Sequence, residues 1–131
     1  MPDERPSAHE LKEQVDAERL GESFLVHRDG HGRQVITPLL GDRLTFGRDM
    51  GVDVVLGWDS EVSRVHAELQ RLGAAWMLVD DGLSRNGSWV NDTQVSGRVR
   101  LSDGDRIRFG ETTLTFRTPG VGLAQQTRIS S

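Results

Sequence analysis

The sequence contains no cysteine, and this absence excludes disulfide bonds, thiolate catalysis and any metal site built on cysteine sulfur. It also has no long apolar run, since no segment approaches the roughly 18 consecutive apolar residues that a membrane helix needs. The first residues, MPDERPSAHE, lack the apolar stretch of a secretion signal. We therefore expect a cytoplasmic protein that does not associate with membranes.

Lysine is nearly absent as well. Of the 16 Lys and Arg residues, one is a lysine (Lys12) and the others are arginines. Any anion site in this chain would then use planar guanidinium groups, which bind carboxylate or phosphate through two parallel hydrogen bonds. The formal net charge is −4 and the pI about 5.5, whereas nucleic-acid-binding domains are usually basic. The negative net charge predicts no direct nucleic-acid binding, but it is compatible with a small basic pocket.

From Phe24 onward, short runs alternate apolar and polar residues, which is typical of half-buried β-strands. Turn-forming dipeptides such as Asp29-Gly30 and Asp103-Gly104 separate these runs at close spacing. No helical period intervenes between them. The pattern predicts an all-β fold, an antiparallel β-sandwich, whose strands are the segments FLVHR, RQVITP, RLTFG, VVLG, RVHAELQR, AWMLVD, GSWVN, RVRL, DRIRFG and TTLTFR.

The N-terminal region differs from this pattern. Residues 1–22 are polar, and Ser7 followed by Glu10 fits a capping box that begins a short helix over about 8–20. Few apolar side chains would line such a helix, namely Leu11, Val15 and Leu20. Because three side chains bury little area, we expect a marginal helix that either packs on the domain or frays.

The C-terminal residues 119–131 also lose the alternation and become rich in glycine, glutamine and serine. Such a composition is typical of a flexible tail or linker. The chain therefore divides into a polar extension over 1–22, one sandwich domain over 23–118 and a tail over 119–131. A terminal linker would also fit one module of a longer protein.

Three polar clusters fall at the ends of predicted strands, where loops on a rigid scaffold commonly carry function. They are Gly47-Arg48, Ser63-Arg64-Val65-His66 and Ser84-Arg85-Asn86-Gly87-Ser88. A fourth element has the form Asp-Gly-Asp-x-Ile and covers residues 103–107. In this order, with strand-like segments between them, the four elements resemble the forkhead-associated (FHA) domain over about residues 24–117.

The resemblance implies a sandwich of about eleven strands whose loops bind phosphothreonine peptides. By position, it implies that Arg48 and Arg64 contact the phosphate and that Ser63 donates its hydroxyl to it. Asn86 matches the residue that holds the peptide backbone, and the matching supporting residues are Gly47, His66 and Gly87. The chemistry agrees, because a phosphothreonine carries nearly two negative charges and three acceptor oxygens that arginine and hydroxyl donors satisfy.

Some positions depart from the pattern of the family. Arg85 stands where some members have threonine, and two roles fit it equally: its guanidinium replaces the threonine hydroxyl at the phosphate, or it swings outward and contacts the peptide beyond the phosphothreonine. Ser88 replaces a common threonine. Asn91-Asp92 stands where Asn-Gly is usual, which leaves the geometry of that turn open.

The same residues also have structural interpretations. Arg48 fits a solvated surface charge, and Ser63 fits a turn residue that caps its own loop. Asn86-Gly87 is a strong hairpin signal on folding grounds alone, so its role in recognition depends on the resemblance.

Signatures of enzymes and metal sites are incomplete. The segment 82–86 begins like a nucleophile elbow but ends in asparagine instead of glycine, and His27 with His31 lacks a third metal ligand. We expect no catalytic activity, no cofactor and no metal. The expected function is recognition of phosphothreonine on a partner protein downstream of a Ser/Thr kinase. The alternatives are a phosphate-independent interaction or oligomerisation domain, and the regulatory portion of a larger transcription regulator or enzyme.

Overall fold

The computed structural model describes residues 5–118, which form two β-sheets and one helix. The elements in chain order are α1 (Ala8–Arg19), β1 (Phe24–Arg28), β2 (Gln34–Pro38), β3 (Arg43–Gly47), β4 (Val54–Val55), β5 (Ala67–Leu72), β6 (Ala75–Asp80), β7 (Ser88–Val90), β8 (Thr93–Gln94), β9 (Gly97–Arg100), β10 (Arg106–Phe109) and β11 (Thr112–Arg117). The expected tail at 119–131 lies outside the described residues.

The two sheets form a sandwich, as the sequence predicted. The larger sheet has the strand order β2-β1-β11-β10-β7-β8, and the smaller sheet has the order β4-β3-β5-β6-β9. Their inner faces meet in one apolar core, where the rings of Phe46 from β3 and Phe109 from β10 lie with centroids 5.2 Å apart. Burial of such large side chains from both sheets is the main force that holds the layers together.

Two details of the sheets were not anticipated. Strand β8 was missed, because two exposed residues are too few to show alternation. In addition, β3 and β4 pair in parallel, with Phe46 opposite Val54, whereas all the other strand pairs within residues 5–118 are antiparallel. A parallel pair of two short strands leaves no mark in the alternation pattern, since strand direction does not change the period of two.

The N-terminal helix begins as predicted. The Ser7 hydroxyl accepts from the Glu10 backbone amide, and the Glu10 carboxylate accepts from the Ser7 amide, so both halves of the capping box are present. Of the two alternatives, the helix packs on the domain, but its thin apolar stripe contributes little, because α1 buries none of its side chains and Leu11 remains 50% exposed. The helix is instead attached by polar contacts, which include a Gln14–Gln34 side-chain hydrogen bond of 2.9 Å.

The turn between β7 and β8 retains the geometry that Asn-Gly would give it. Asn91 has φ 48° and Asp92 has φ 69°, so both central residues of this two-residue turn are left-handed, as a type I′ hairpin requires. Asn91 also binds the start of β10, since its side-chain oxygen accepts from the Arg106 amide at 2.9 Å. The turn therefore has the type I′ shape although aspartate occupies the position that glycine would fill without strain.

Within residues 5–118, the structure holds no helix with the length and hydrophobicity that a membrane crossing requires.

Candidate functional site

Three connections meet at one end of the sandwich: the β3–β4 loop (48–53), the β4–β5 loop (56–66) and the β6–β7 loop (81–87). Backbone hydrogen bonds join the first two loops, because the Arg48 amide donates to the Ser63 carbonyl at 3.0 Å and the Asp49 amide to the Arg64 carbonyl at 3.1 Å. The third connection crosses from the smaller sheet to the larger one. We call these three connections the recognition loops.

Gly47 allows the first two recognition loops to approach each other. A β-carbon added at this residue would lie 2.0 Å from the Arg64 carbonyl oxygen and 2.7 Å from the carbon of the same carbonyl. Both distances are far inside van der Waals contact, and both atoms belong to backbone that cannot rotate away. Glycine is therefore required here by close approach of the chain.

His66 joins the second and third recognition loops from inside the core. Its ring is fully buried and packs against Phe109 with centroids 5.0 Å apart. Nδ1 accepts from the Ser63 amide at 3.0 Å, so Nε2 carries the proton and donates to the Gly87 carbonyl at 2.8 Å. One neutral imidazole thus fixes the distance between the loop that contains Ser63 and the loop that contains Asn86.

The Ser63 hydroxyl provides a second bond between the same two loops. Its oxygen accepts from the Arg85 backbone amide at 2.8 Å. The structural interpretation in which Ser63 caps its own loop is therefore wrong, because the amide that it caps belongs to the β6–β7 loop. Since the oxygen is used as an acceptor, the hydroxyl hydrogen remains available to donate to an anion.

A buried aspartate holds both ends of the β6–β7 loop. The Asp80 carboxylate accepts from the Gly82 amide at 3.1 Å, from the Ser88 hydroxyl at 2.7 Å and from the Ser84 hydroxyl. Burial is the strongest single influence on this group and favours the neutral acid, but the hydrogen bonds together outweigh it and hold the pKa of Asp80 below its ordinary value. The sequence placed this residue at a turn, where aspartate caps backbone amides.

A second buried aspartate, which sequence reasoning missed, holds the β4–β5 loop. The Asp59 carboxylate accepts from the Glu61 amide at 3.0 Å, from the Glu111 amide at 2.8 Å and from the Thr112 hydroxyl at 2.7 Å. It therefore ties this loop to the turn between β10 and β11. The bond to the Glu61 amide is local, but no local signal identifies the bonds to Glu111 and Thr112, because these partners lie 52 and 53 residues away from Asp59.

The arginines of the recognition loops have no acidic partners. Within residues 5–118, none of Arg48, Arg64 and Arg85 forms an ion pair, and all three are exposed. Arg48 donates from Nε to the Val62 carbonyl, which positions its guanidinium and leaves the terminal nitrogens without a hydrogen bond to described residues. Guanidinium groups without acid partners, on loops whose backbones meet at Ser63, are donors of the kind that a doubly charged phosphate ester requires.

Asn86 and Gly87 do not form a hairpin, because the strands before and after them lie in different sheets. The Asn86 amide nitrogen donates to the Glu61 carbonyl at 2.9 Å, so this side chain already bridges two recognition loops. Gly87 has φ 85°, and a β-carbon there would lie 2.6 Å from the Gln94 side-chain nitrogen. The conformation of Gly87 explains why glycine follows Asn86.

The described part of the chain contains no group of three or more histidine, aspartate or glutamate side chains placed to hold a metal ion. His27 is buried and stacks on Trp58 with ring centroids 6.1 Å apart, whereas His31 is exposed in the β1–β2 turn. These two histidines do not form a common site.

Comparison with known proteins gives one consistent family. The FHA domain family matches residues 44–110, which is just over half of the chain. The oxoglutarate dehydrogenase inhibitor of Corynebacterium jeikeium is 43% identical over 70 residues, covering 53% of this chain and 46% of that protein. The FHA domain-containing protein PS1 of Arabidopsis thaliana is 33% identical over 85 residues, covering 63% of this chain and 6% of that protein.

A solved structure from a study of phosphothreonine-dependent FHA domain interactions aligns with a TM-score of 0.63 and 33% identity. The alignment covers 73% of this chain and 95% of that one. The chain thus spans less than half the length of both curated relatives, although it matches nearly the whole of the solved domain.

Proposed function

The chain belongs to the FHA domain family, and on that premise we propose that it binds phosphothreonine on a partner protein through Arg48, Ser63, Arg64 and Arg85. FHA domains are interaction modules and generally not enzymes. The proposal therefore needs no reaction step and no cofactor. It requires a preformed surface whose donors match one phosphate group and whose neighbouring groups hold an extended peptide.

The observation that carries this proposal is the set of unsatisfied donors on loops that are fastened together. Arg48, Arg64 and Arg85 have no carboxylate partner within the described residues, and the Ser63 hydroxyl has a hydrogen left to donate. The structure pairs Arg28, Arg43 and Arg117 with glutamate side chains, but other described arginines are also outside ion pairs. What distinguishes Arg48, Arg64 and Arg85 is that their loops are joined to one another at Ser63. Leaving cations unpaired on a protein of net charge −4 supports a role in binding an anion.

The loops are preorganised for such a ligand. Because His66 and Ser63 each bond across to the β6–β7 loop, the backbone that carries the donors is held in place before the phosphate arrives. Preorganisation lowers the ordering cost of binding, so more of each charge-assisted hydrogen bond appears as affinity. Three or four such bonds at about 1.5–3 kcal/mol each, less association costs, lead us to expect a Kd in the micromolar range.

Of the two roles considered for Arg85, we propose the first. Its backbone amide is bound to the Ser63 hydroxyl oxygen at 2.8 Å, so its α-carbon stands beside the expected phosphate position. An exposed arginine at that point can replace the hydroxyl of the threonine that some family members have, and it adds a positive charge. We assign Arg85 to the phosphate on this basis.

Asn86 is assigned to the peptide backbone. Its amide nitrogen is bound to the Glu61 carbonyl, and its oxygen accepts no hydrogen bond from the described residues. A peptide N–H can use that oxygen without breaking the bridge to Glu61. Asn86 is thereby held in position by one atom and receives the peptide with the other.

The partner is a protein that a Ser/Thr kinase has phosphorylated on threonine, because a phosphate monoester on a protein requires such an enzyme. The test is a titration of one threonine peptide in phosphorylated and unphosphorylated forms, measured by calorimetry on the full chain. We expect micromolar binding of the phosphopeptide and no detectable binding of the unphosphorylated peptide. Equal binding of both forms would replace the proposal with a phosphate-independent interaction domain.

A further inference from the structure

The outer face of the larger sheet carries a second positively charged surface, outside the recognition loops. A groove of about 520 Å³ lies on this face beside α1. Three arginines line it (Arg28, Arg106 and Arg108), but only one carboxylate does (Asp92). Arg28 is paired with Glu10, so the positive charge left over in the groove comes from Arg106 and Arg108, and it runs against the net charge of −4 of the whole chain.

The alternation of β10 places its two arginines on this face. Ile107 and Phe109 are fully buried in the core, so Arg106 and Arg108 point to the opposite side of the sheet. The strand register puts Arg108 opposite Trp89 on β7, and the guanidinium carbon of Arg108 lies 4.9 Å from the centre of the Trp89 ring. A cation stacked on tryptophan forms a flat, rigid platform.

The helix shows what kind of group this face binds. The Glu10 carboxylate of α1 accepts two hydrogen bonds from Arg28, at 2.7 and 3.1 Å, and the Glu18 carboxylate accepts one from Arg117 at 2.8 Å. Since α1 buries no side chain, such polar contacts are what attach it. An acidic segment is therefore already held on one half of the sheet face by carboxylate–guanidinium pairs.

The other half of the face has similar arginines but no such partner. Within residues 5–118, neither Arg106 nor Arg108 forms an ion pair, and the Arg106 side chain is exposed without a hydrogen bond. The Arg108 guanidinium is held in place by Trp89 and by the Gly110 carbonyl, to which it donates at 2.8 Å. Tryptophan and arginine are the side chains most enriched where proteins bind other proteins.

We propose that the groove between α1 and β10 is a second docking surface, which takes an acidic segment of a partner protein alongside the chain's own acidic helix. The partner's carboxylates pair with Arg106 and Arg108 as Glu10 pairs with Arg28. Nucleic acid is the weaker candidate, because a duplex or strand is bound through many phosphate contacts, whereas this groove offers two arginines without an acid partner among the described residues.

The test uses the full chain, labelled with ¹⁵N, and a peptide of about ten glutamates at an ionic strength of about 20 mM, where charge pairing is least screened. We expect saturable shifts of the Trp89 indole N–H and of the β7 and β10 amides. Arg106→Glu should weaken this binding by at least about tenfold, since it replaces attraction by repulsion. Arg106→Ala should weaken it by a smaller factor.

Arg98→Glu is the matched control. It makes the same charge change on an exposed strand position of the other sheet, and it should alter peptide affinity by less than about twofold. Equal effects of Arg98→Glu and Arg106→Glu would overturn the proposal, and so would shifts confined to the recognition loops. Tighter binding of an oligonucleotide than of the peptide, on this same face, would also reject an acidic protein segment as the occupant.

Discussion

The carbonyl oxygen of Arg64 occupies the space that a side chain on residue 47 would need, at 2.0 Å from the position of its β-carbon. The contact is between backbone and backbone, so no rotamer change can relieve it. Gly47 therefore determines how closely the β3–β4 loop approaches the β4–β5 loop. Because Arg48 and Ser63 lie immediately beside this contact, the spacing of two proposed phosphate donors depends on it.

Gly47→Ala should consequently damage both stability and binding. Overpacking of this kind typically costs about 1–3 kcal/mol, and the closeness of this contact places the expected loss of unfolding free energy at the upper end. Gly57→Ala is the control, because its added β-carbon would meet only a valine methyl at 3.7 Å. Chemical denaturation measures the unfolding free energy of the two variants. A Gly47→Ala protein as stable as Gly57→Ala would show that the loops do not approach as described.

Asp80 is expected to make stability depend on pH. Its pKa is lower in the folded chain than in the unfolded chain, so the folded state binds the proton less readily. The stabilisation is complete above the ordinary pKa of an aspartate and is lost as the pH falls through the lowered value. Asp80→Asn should reduce stability at pH 7 and should flatten the acid limb of the stability curve.

The measurement is the urea midpoint of wild type and Asp80→Asn between pH 2 and pH 7. Asp81→Asn is the control, since Asp81 is exposed and its carboxylate accepts no hydrogen bond from the described residues. If both variants follow the wild-type curve in parallel, Asp80 does not hold the loop in its ionised form.

The contact between α1 and β1 also has a measurable consequence. Hydrogen bonds from Arg28 and from the Ser7 amide lower the pKa of Glu10 to about 2. Arg28→Ala should therefore raise the pKa of Glu10 most of the way to the usual range of a glutamate. A carboxyl-detected NMR titration tests this directly. An unchanged, low pKa in the variant would place the cause in the capping box alone.

How much of this structure was predictable differs between its parts. The alternation of apolar residues identified nearly all the strands, and the Ser7–Glu10 pair identified the start of α1, because both signals are local. The bonds that assemble the site are not local: Asp59 binds Thr112 and His66 binds Gly87 across the fold. An aspartate at a turn has the same sequence signature whether it caps its own turn or fastens a distant strand.

The attachment of α1 was not predictable for a related reason. Its apolar residues suggested a thin hydrophobic stripe, yet Leu11 is half exposed and the helix is attached by pairs such as Glu10–Arg28. Which of several surface arginines a glutamate will pair with depends on the sheet register, which is known only after folding.

The Asp92 turn predicts a gain in stability. With φ 69°, Asp92 occupies left-handed backbone that glycine adopts without strain. Asp92→Gly should stabilise the protein by about 0.5–1 kcal/mol, because relief of strain exceeds the added flexibility of the unfolded chain. Asn91→Gly should instead lose stability, since it removes the bond to the Arg106 amide. Thermal unfolding of the two variants distinguishes these outcomes, and a destabilised Asp92→Gly protein would contradict the turn geometry.

The central claim is that Arg48 and its neighbours form a phosphate site, and calorimetry with a single phosphothreonine peptide tests it most directly. Arg48→Ala should weaken binding by about 2–4 kcal/mol, because a charge pair at the interface is broken. Arg71→Ala, which removes an exposed arginine near the β5–β6 turn, at the end of β5 that lies away from the recognition loops, should bind like wild type. Binding by Arg48→Ala within about twofold of wild type, in a protein that remains folded, would show that the phosphate lies elsewhere.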